Sequence, residues 1–307
     1  MTGVILRRLL QLPVIVGVVF LLTLALAWGI PGNPLENPEG RRPPPEIAEA
    51  MKAQYDMDSF WGFATSYIDR ATGSRWLRAR LTGEHARRDA EALAAGLAPP
   101  DRYIFDLGPS LQYRDRTVNE IIGSSLPVSA TLGLAAILIA LFIGLGAGVA
   151  GSIRPSSLAD ASTLTLALVG ISTPTFVAGT LLLLLFSVLV PVFPVASWGS
   201  PRDIVLPAIT LSLPFAAYIA RLTRVGMIEA LASDYVRTAR AKGLPERTVI
   251  LKHALKNAFL PVLSYLGPAT ALAMTGSFVV ERVFTVPGLG QHFVSAVQNK
   301  DLFLIMG

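Results

Sequence analysis

Residues 229–261 read EALASDYVRTARAKGLPERTVILKHALKNAFLP, a polar, basic stretch between two long apolar ones. Arg221, Arg224, Arg237, Arg240, Lys242, Arg247, Lys252 and Lys256 crowd into it or lie just ahead of it, opposed only by Glu229, Asp234 and Glu246. In a membrane protein a short basic connection of this kind lies on the cytoplasmic side. Its pattern predicts more than a loop. A helix from Asp234 can stop at Gly243, and Pro245 can open a second helix at its first position. Ile250, Leu251, Ala254, Leu255 and Ala258 give that second helix an apolar stripe. Two short helices turned to the cytosol suit the docking of a soluble partner; a solvated, positive-inside loop is the plainer reading of the same charges.

The composition agrees with a membrane protein. Of 307 residues, 52% are hydrophobic and 15% charged, against about 25% charged in soluble domains. The net charge of +5 gathers in the segment above, without the interleaved aromatics of a stacking platform, so topology explains it and no nucleic acid partner is expected. The absence of cysteine excludes disulfides, thiolate zinc sites and iron–sulfur clusters.

A span needs about 20 mostly apolar residues. Five stretches qualify: about Leu9 to Ile30, Pro127 to Gly151, within Leu158 to Val190 with a kink at Pro174, Ile204 to Ala220, and Ala258 to Val280. The first is too long for a signal peptide and is followed by Pro31-Gly32-Asn33-Pro34 in place of a cleavage site, so it is expected to be retained, with the N-terminus in the cytoplasm. The chain then divides into an N-terminal transmembrane helix (1–30), an external cap (31–126) and a helical core (127–307) carrying the cytoplasmic segment 229–261. Within the cap, Glu46–Asp58 and Gly83–Gly96 read as helices. After Asp301 only six residues remain, too few to cross a bilayer; they read as the start of a sixth span cut short, with a natural product extending past Gly307.

The cores of the second to fifth spans hold no Asp, Glu, Lys, Arg or His. Ion-coupled carriers place such residues there, and intramembrane enzymes need a nucleophile with a base, or metal ligands. His85, His253 and His292 are scattered, which argues against a metal site. No G-x-x-x-x-G-K-[ST] run occurs, so the chain is not itself an ATPase of that type. Gly146-x-Gly148-x-x-Gly151 matches a dinucleotide fingerprint only formally, because it ends an apolar helix; Gly144 and Gly148 read instead as a small-xxx-small packing pair. Transport against a gradient would draw its energy from another subunit. Thr173, Thr210, Ser212, Tyr265, Thr270 and Ser277 are candidates for a neutral, polar pathway lining, or for hydroxyls bonded back to their own helices.

Asp234-Tyr235-Val236-Arg237-Thr238-Ala239-Arg240-Ala241-Lys242-Gly243-Leu244-Pro245, followed by His253-Ala254-Leu255-Lys256-Asn257-Ala258, resembles the coupling or EAA loop of permease subunits in bacterial peptide ABC importers, the binding-protein-dependent transport family. Ile5-Leu6-Arg7-Arg8-Leu9, Asp106-Leu107-Gly108-Pro109-Ser110, Ser125-Leu126-Pro127-Val128-Ser129-Ala130-Thr131-Leu132 and Glu281-Arg282-Val283-Phe284-Thr285-Val286-Pro287-Gly288-Leu289-Gly290-Gln291 resemble other stretches of the same family. The likeness implies an all-α polytopic membrane protein of type I ABC importer fold, normally with a sixth span. It implies a peptide importer's permease subunit in the bacterial inner membrane, working with a second homologous permease, two cytoplasmic ATPases that bind the ATP and magnesium, and an extracytoplasmic peptide-binding protein. Asp234, Tyr235, Arg237, Thr238, Ala239, Arg240, Ala241, Lys242, Gly243 and Leu244 would then contact an ATPase, with Arg240 and Lys242 pairing with its acids and Ala239 and Ala241 allowing close packing. A permease for a nickel chelate or another small solute, or a non-transporting scaffold, is the alternative.

Overall fold

The computed structural model describes residues 2–31, 45–96, 103–113, 116–275 and 278–307. The helices, in chain order, are α1 (Thr2–Gly29), α2 (Pro45–Tyr55), α3 (Phe60–Ala71), α4 (Ser74–Leu81), α5 (Glu84–Ala94), α6 (Val118–Ile153), α7 (Leu158–Ser172), α8 (Thr175–Leu183), α9 (Pro201–Leu231), α10 (Asp234–Ala241), α11 (Glu246–Thr248), α12 (Leu255–Met274), α13 (Phe278–Phe284), α14 (Leu289–Gln298) and α15 (Leu302–Met306). Leu184–Leu189 and Val249–Ala254 wind as π-helix and continue α8 and α11. Among the described residues, extended pairing is confined to one isolated bridge, Pro109 with Thr117. Among the described residues, three helices are each long and apolar enough to cross a membrane, or up to five spans if two bent helix pairs each count as one. The all-α polytopic expectation is borne out.

The chain forms two compact units, residues 1–124 with 292–307, and residues 125–291. Within the first unit, α1 and the helices that follow it share a core. Leu24 and Ala27 of α1 are buried with Phe63 and Tyr67 of α3 and Phe303 of α15, and the Phe63 and Phe303 ring centroids lie 5.2 Å apart. Leu302–Met306, the apolar end of the sequence, is thus a buried helix of the first unit. Asp301 caps it, accepting the Leu304 N–H (3.1 Å), and also takes the Ser110 hydroxyl (2.6 Å) and the Leu111 and Gln112 N–H groups.

In the second unit α9 is the axis. Its Leu206, Leu211, Phe215 and Ile219 are buried with Leu132, Ala136 and Ala140 of α6, Val262, Ala269 and Ala273 of α12, and Val280 and Phe284 of α13. Lipid is as apolar as these side chains, so close approach of helices must supply what the hydrophobic effect does not. Glycines provide it. A β-carbon on Gly144 would fall 2.8 Å from the Ala216 carbonyl oxygen, and one on Gly148 would fall 2.6 Å from that of Ala220. Gly144 and Gly148 therefore seat α6 on α9, as the packing reading expected.

Three expectations need correction. Pro174 does more than kink the third span: Asp160–Ser172 and Thr175–Leu189 meet at 103°. Thr173, ahead of a proline, takes extended backbone (φ −79°, ψ 121°), which ends α7 outright. The fourth span does not stop at Ala220; α9 runs on through Arg221 and Arg224 to Leu231 because Thr223, Met227 and Ala230 are buried. The second short helix of the basic segment is no separate element. Pro245 stands one place ahead of its first turn, as the N-cap and not at the first helical position, and the helix then passes through the π-turn into α12, so it is the near end of the fifth span.

Candidate functional site: an exposed helix anchored between two spans

Only Ala232 and Ser233 separate α9 from α10. Two residues of α10, Val236 and Ala239, point inward and are buried with Met227 and Ala230 of α9 and with Val249, Ala254 and Ala258 on the way into α12. Asp234, Tyr235, Arg237, Thr238, Arg240, Ala241, Lys242, Gly243 and Leu244 are exposed. The structure brings all ten candidate coupling residues into one short helix and its closing turn, and it leaves nine of them on the surface. Ala239 is the exception. Its small side chain serves contact within the chain, so it is unavailable to a partner.

The closing turn is a Schellman motif. The Gly243 N–H donates to the Arg240 carbonyl (2.9 Å) and the Leu244 N–H to the Ala239 carbonyl (3.4 Å), while Gly243 sits at φ +76°, the left-handed conformation glycine adopts without cost. Arg240 is also partly committed. Its Nη2 and Nε donate to the two carboxylate oxygens of Glu246 at 2.6 and 3.2 Å, and this partner raises its already high pKa further. Arg237 makes only a long contact with Asp234, 3.5 Å. Arg237 and Lys242 are therefore the cations of α10 best placed to meet acids elsewhere.

The pathway candidates divide. Thr210 and Ser212 are buried and donate to the carbonyls of Leu206 (2.8 Å) and Ile209 (2.7 Å) on their own helix, which withdraws them from a lining. Thr173 is half-buried at the α7–α8 break, and Thr270 is half-buried on α12. Tyr265 is half-buried and its ring lies 4.4 Å from that of Tyr218. Ser277 lies outside the described residues.

Sequence reasoning missed two sites. Glu281, just past the expected end of the fifth span, has no exposed surface. It accepts the Ser129 hydroxyl (2.8 Å) and the Gly290 and Gln291 N–H groups (2.7 and 3.3 Å), gathering the Pro287-Gly288-Leu289-Gly290 turn around a buried carboxylate. The available signal was an acid placed a few residues ahead of a Pro-Gly turn. Asp160, in the first turn of α7, receives Arg224 in a two-pronged ion pair, 2.5 and 2.8 Å, which ties α7 to α9. Residues 64 apart in the chain leave no local pattern.

Two spans are thus joined through a short, exposed helix whose inner face is locked to both. Residues 136–307 match the family described as binding-protein-dependent transport system inner membrane component, and the chain belongs to this family. It is 45% identical over 203 residues to the oligopeptide transport system permease protein OppB of Escherichia coli K12, covering 66% of each chain, just under two thirds of that relative. Identity to the dipeptide transport system permease protein DppB is 39% over 275 residues in Bacillus subtilis 168 (83% of this chain, 89% of that one). In Lactococcus lactis subsp. cremoris MG1363 it is 33% over 307 residues (100% and 90%).

Proposed function

We propose that this chain is the permease subunit of an ATP-driven peptide importer and forms half of a translocation pathway with a second, homologous permease. The observation that carries this reading is the joining of α10 to two spans at once, in a chain whose relatives are named for oligopeptide and dipeptide transport. Two ATPases would bind ATP and magnesium on the cytoplasmic side and push on α10. Because Val236 and Ala239 are packed into the base of α9 and α12, movement of α10 would be transmitted to both spans together. A peptide-binding protein would deliver substrate on the opposite face, and the N-terminus would lie in the cytoplasm. Tyr265 with its neighbour Tyr218, Thr173 and Thr270 are candidates for the pathway surface, and Ser277 stands beside them.

The test is reconstitution with the second permease, the ATPases and the binding protein in proteoliposomes. Peptide uptake and peptide-stimulated ATP hydrolysis are expected, and both should fall together when Val236→Asp loosens α10 from its anchor. Uptake that persists without bound ATPases would refute the coupling role.

A further inference from the structure

Within the first unit is a cavity of about 300 Å³ whose wall carries Arg70, Arg75 and Arg88 against Glu84 and Asp106. Arg88 is paired with Glu84 at 2.5 Å, and Asp106 accepts the Gly108 N–H at 2.9 Å. Arg70 is different. It is 3% exposed, with its guanidinium 4.2 Å above the Tyr55 ring, and its Nε–H has no acceptor. Its Nη2 reaches only neutral oxygens at long range, the Gln54 carbonyl (3.4 Å) and the Ser66 hydroxyl (3.3 Å). A cation taken out of water is costly unless an anion and good hydrogen bonds replace the solvent. Here an aromatic face compensates only in part. Burial, and then the charge of Arg75, push the guanidinium pKa down, and the Tyr55 hydroxyl and the charge of Asp106 offset this only in part.

We propose that this cavity binds a small monocarboxylate, with Arg70 as its principal counter-ion and the exposed Arg75 as a second. A guanidinium fork with an unused N–H matches a planar carboxylate. Glu84 and Asp106 on the same wall disfavour a dianion such as phosphate, because like charges at close range repel. Tyr55 and Trp76 give the cavity aromatic surface for an apolar side group. The site stands apart from the transport reading: a peptide C-terminus and a free organic acid share the required chemistry.

The experiment is calorimetric titration of the purified full chain in detergent with the dipeptide Ala-Phe, with the same dipeptide amidated at its C-terminus, and with phenylacetate. Saturable binding of Ala-Phe that disappears on amidation supports the site. Binding of phenylacetate as well identifies any small carboxylate as the ligand, and its failure beside Ala-Phe identifies the peptide terminus. Arg70→Lys, which keeps the charge and loses the fork, should weaken binding about tenfold. Arg75→Gln, at an exposed position that leaves the fold intact, should weaken it about threefold. Equal binding of acid and amide, no saturable binding of any of the three, or unchanged affinity in both variants would overturn the proposal. Because binding is read without ATPases or vesicles, its outcome is independent of whether the assembled complex transports peptides.

Discussion

Glu281 shows how much one side chain can organise. Its carboxylate collects one hydroxyl and two backbone N–H groups from residues before and after it in the chain. Replacing it with alanine leaves those donors buried and unmatched, at an expected loss of about 2–3 kcal/mol. Thermal unfolding in detergent should show this, with Glu281→Gln falling between alanine and the native protein. Gly288 belongs to the same knot. A β-carbon there would lie 2.5 Å from both a Glu281 carboxylate oxygen and the Ser129 hydroxyl, so Gly288→Ala should match the loss in Glu281→Ala. Gly243 makes the opposite case. Nothing lies within 4 Å of a β-carbon at this position, so any penalty comes from its positive φ alone, about 1–2 kcal/mol. Gly243→Val should therefore impair ATP-driven uptake more than Lys242→Ala, with normal amounts of protein in the membrane; the reverse order would place the coupling contact on the charge.

At the scale of elements, the seam between α6 and α9 is set by backbone approach. Gly148→Val would drive a branched side chain against the Ala220 carbonyl and Thr223, whereas Gly146→Val meets nothing within 4 Å. The first is expected to lower the yield of folded protein in detergent sharply and the second to leave it unchanged. Asp160→Asn should loosen α7 from α9 and lower the unfolding temperature by several degrees, since it removes the charge facing Arg224. Local rules carried much of this level. Charge placement and Gly243 located α10 and its end, and the small-residue spacing located the seam. The misreadings arose where tertiary burial overrode local signals. Arg221 looks like the end of a span only because a linear scan cannot see that Met227 and Ala230 are covered. The π-turn at Val249–Ala254 has no periodic signature, so the continuity of α11 with α12 was hidden behind Pro245. Glu281 and Asp160 are defined by partners distant in sequence, and no spacing rule reaches them.

Across the whole molecule, two units with separate cores predict separate sensitivities. His292, in the first unit, is held below its ordinary pKa by burial and then by the charge of Arg116, and its ring nitrogen lies 3.3 Å from the Tyr113 hydroxyl. The unfolded chain therefore takes up a proton before the folded one does, so the stability of this unit falls as the pH drops through about 6.5. Melting measured between about pH 8 and pH 5 should show that slope, and His292→Gln should flatten it. The spans differ as strongly. The best window of α1 has mean hydropathy 2.6 with 6% of it buried, and that of α6 has 2.5 with 39% buried, but α9 has only 1.6 with 61% buried. This gradient bears on how the protein is made. A nascent α1 can leave the translocon and partition into lipid alone, whereas α9 emerges before α12 exists to pack against it. The least greasy helix must then wait beside the insertion machinery for the next one to be synthesised. Single-helix reporter fusions should insert efficiently with α1 or α6 and poorly with α9, and a fusion carrying α9 through α12 should recover much of the loss.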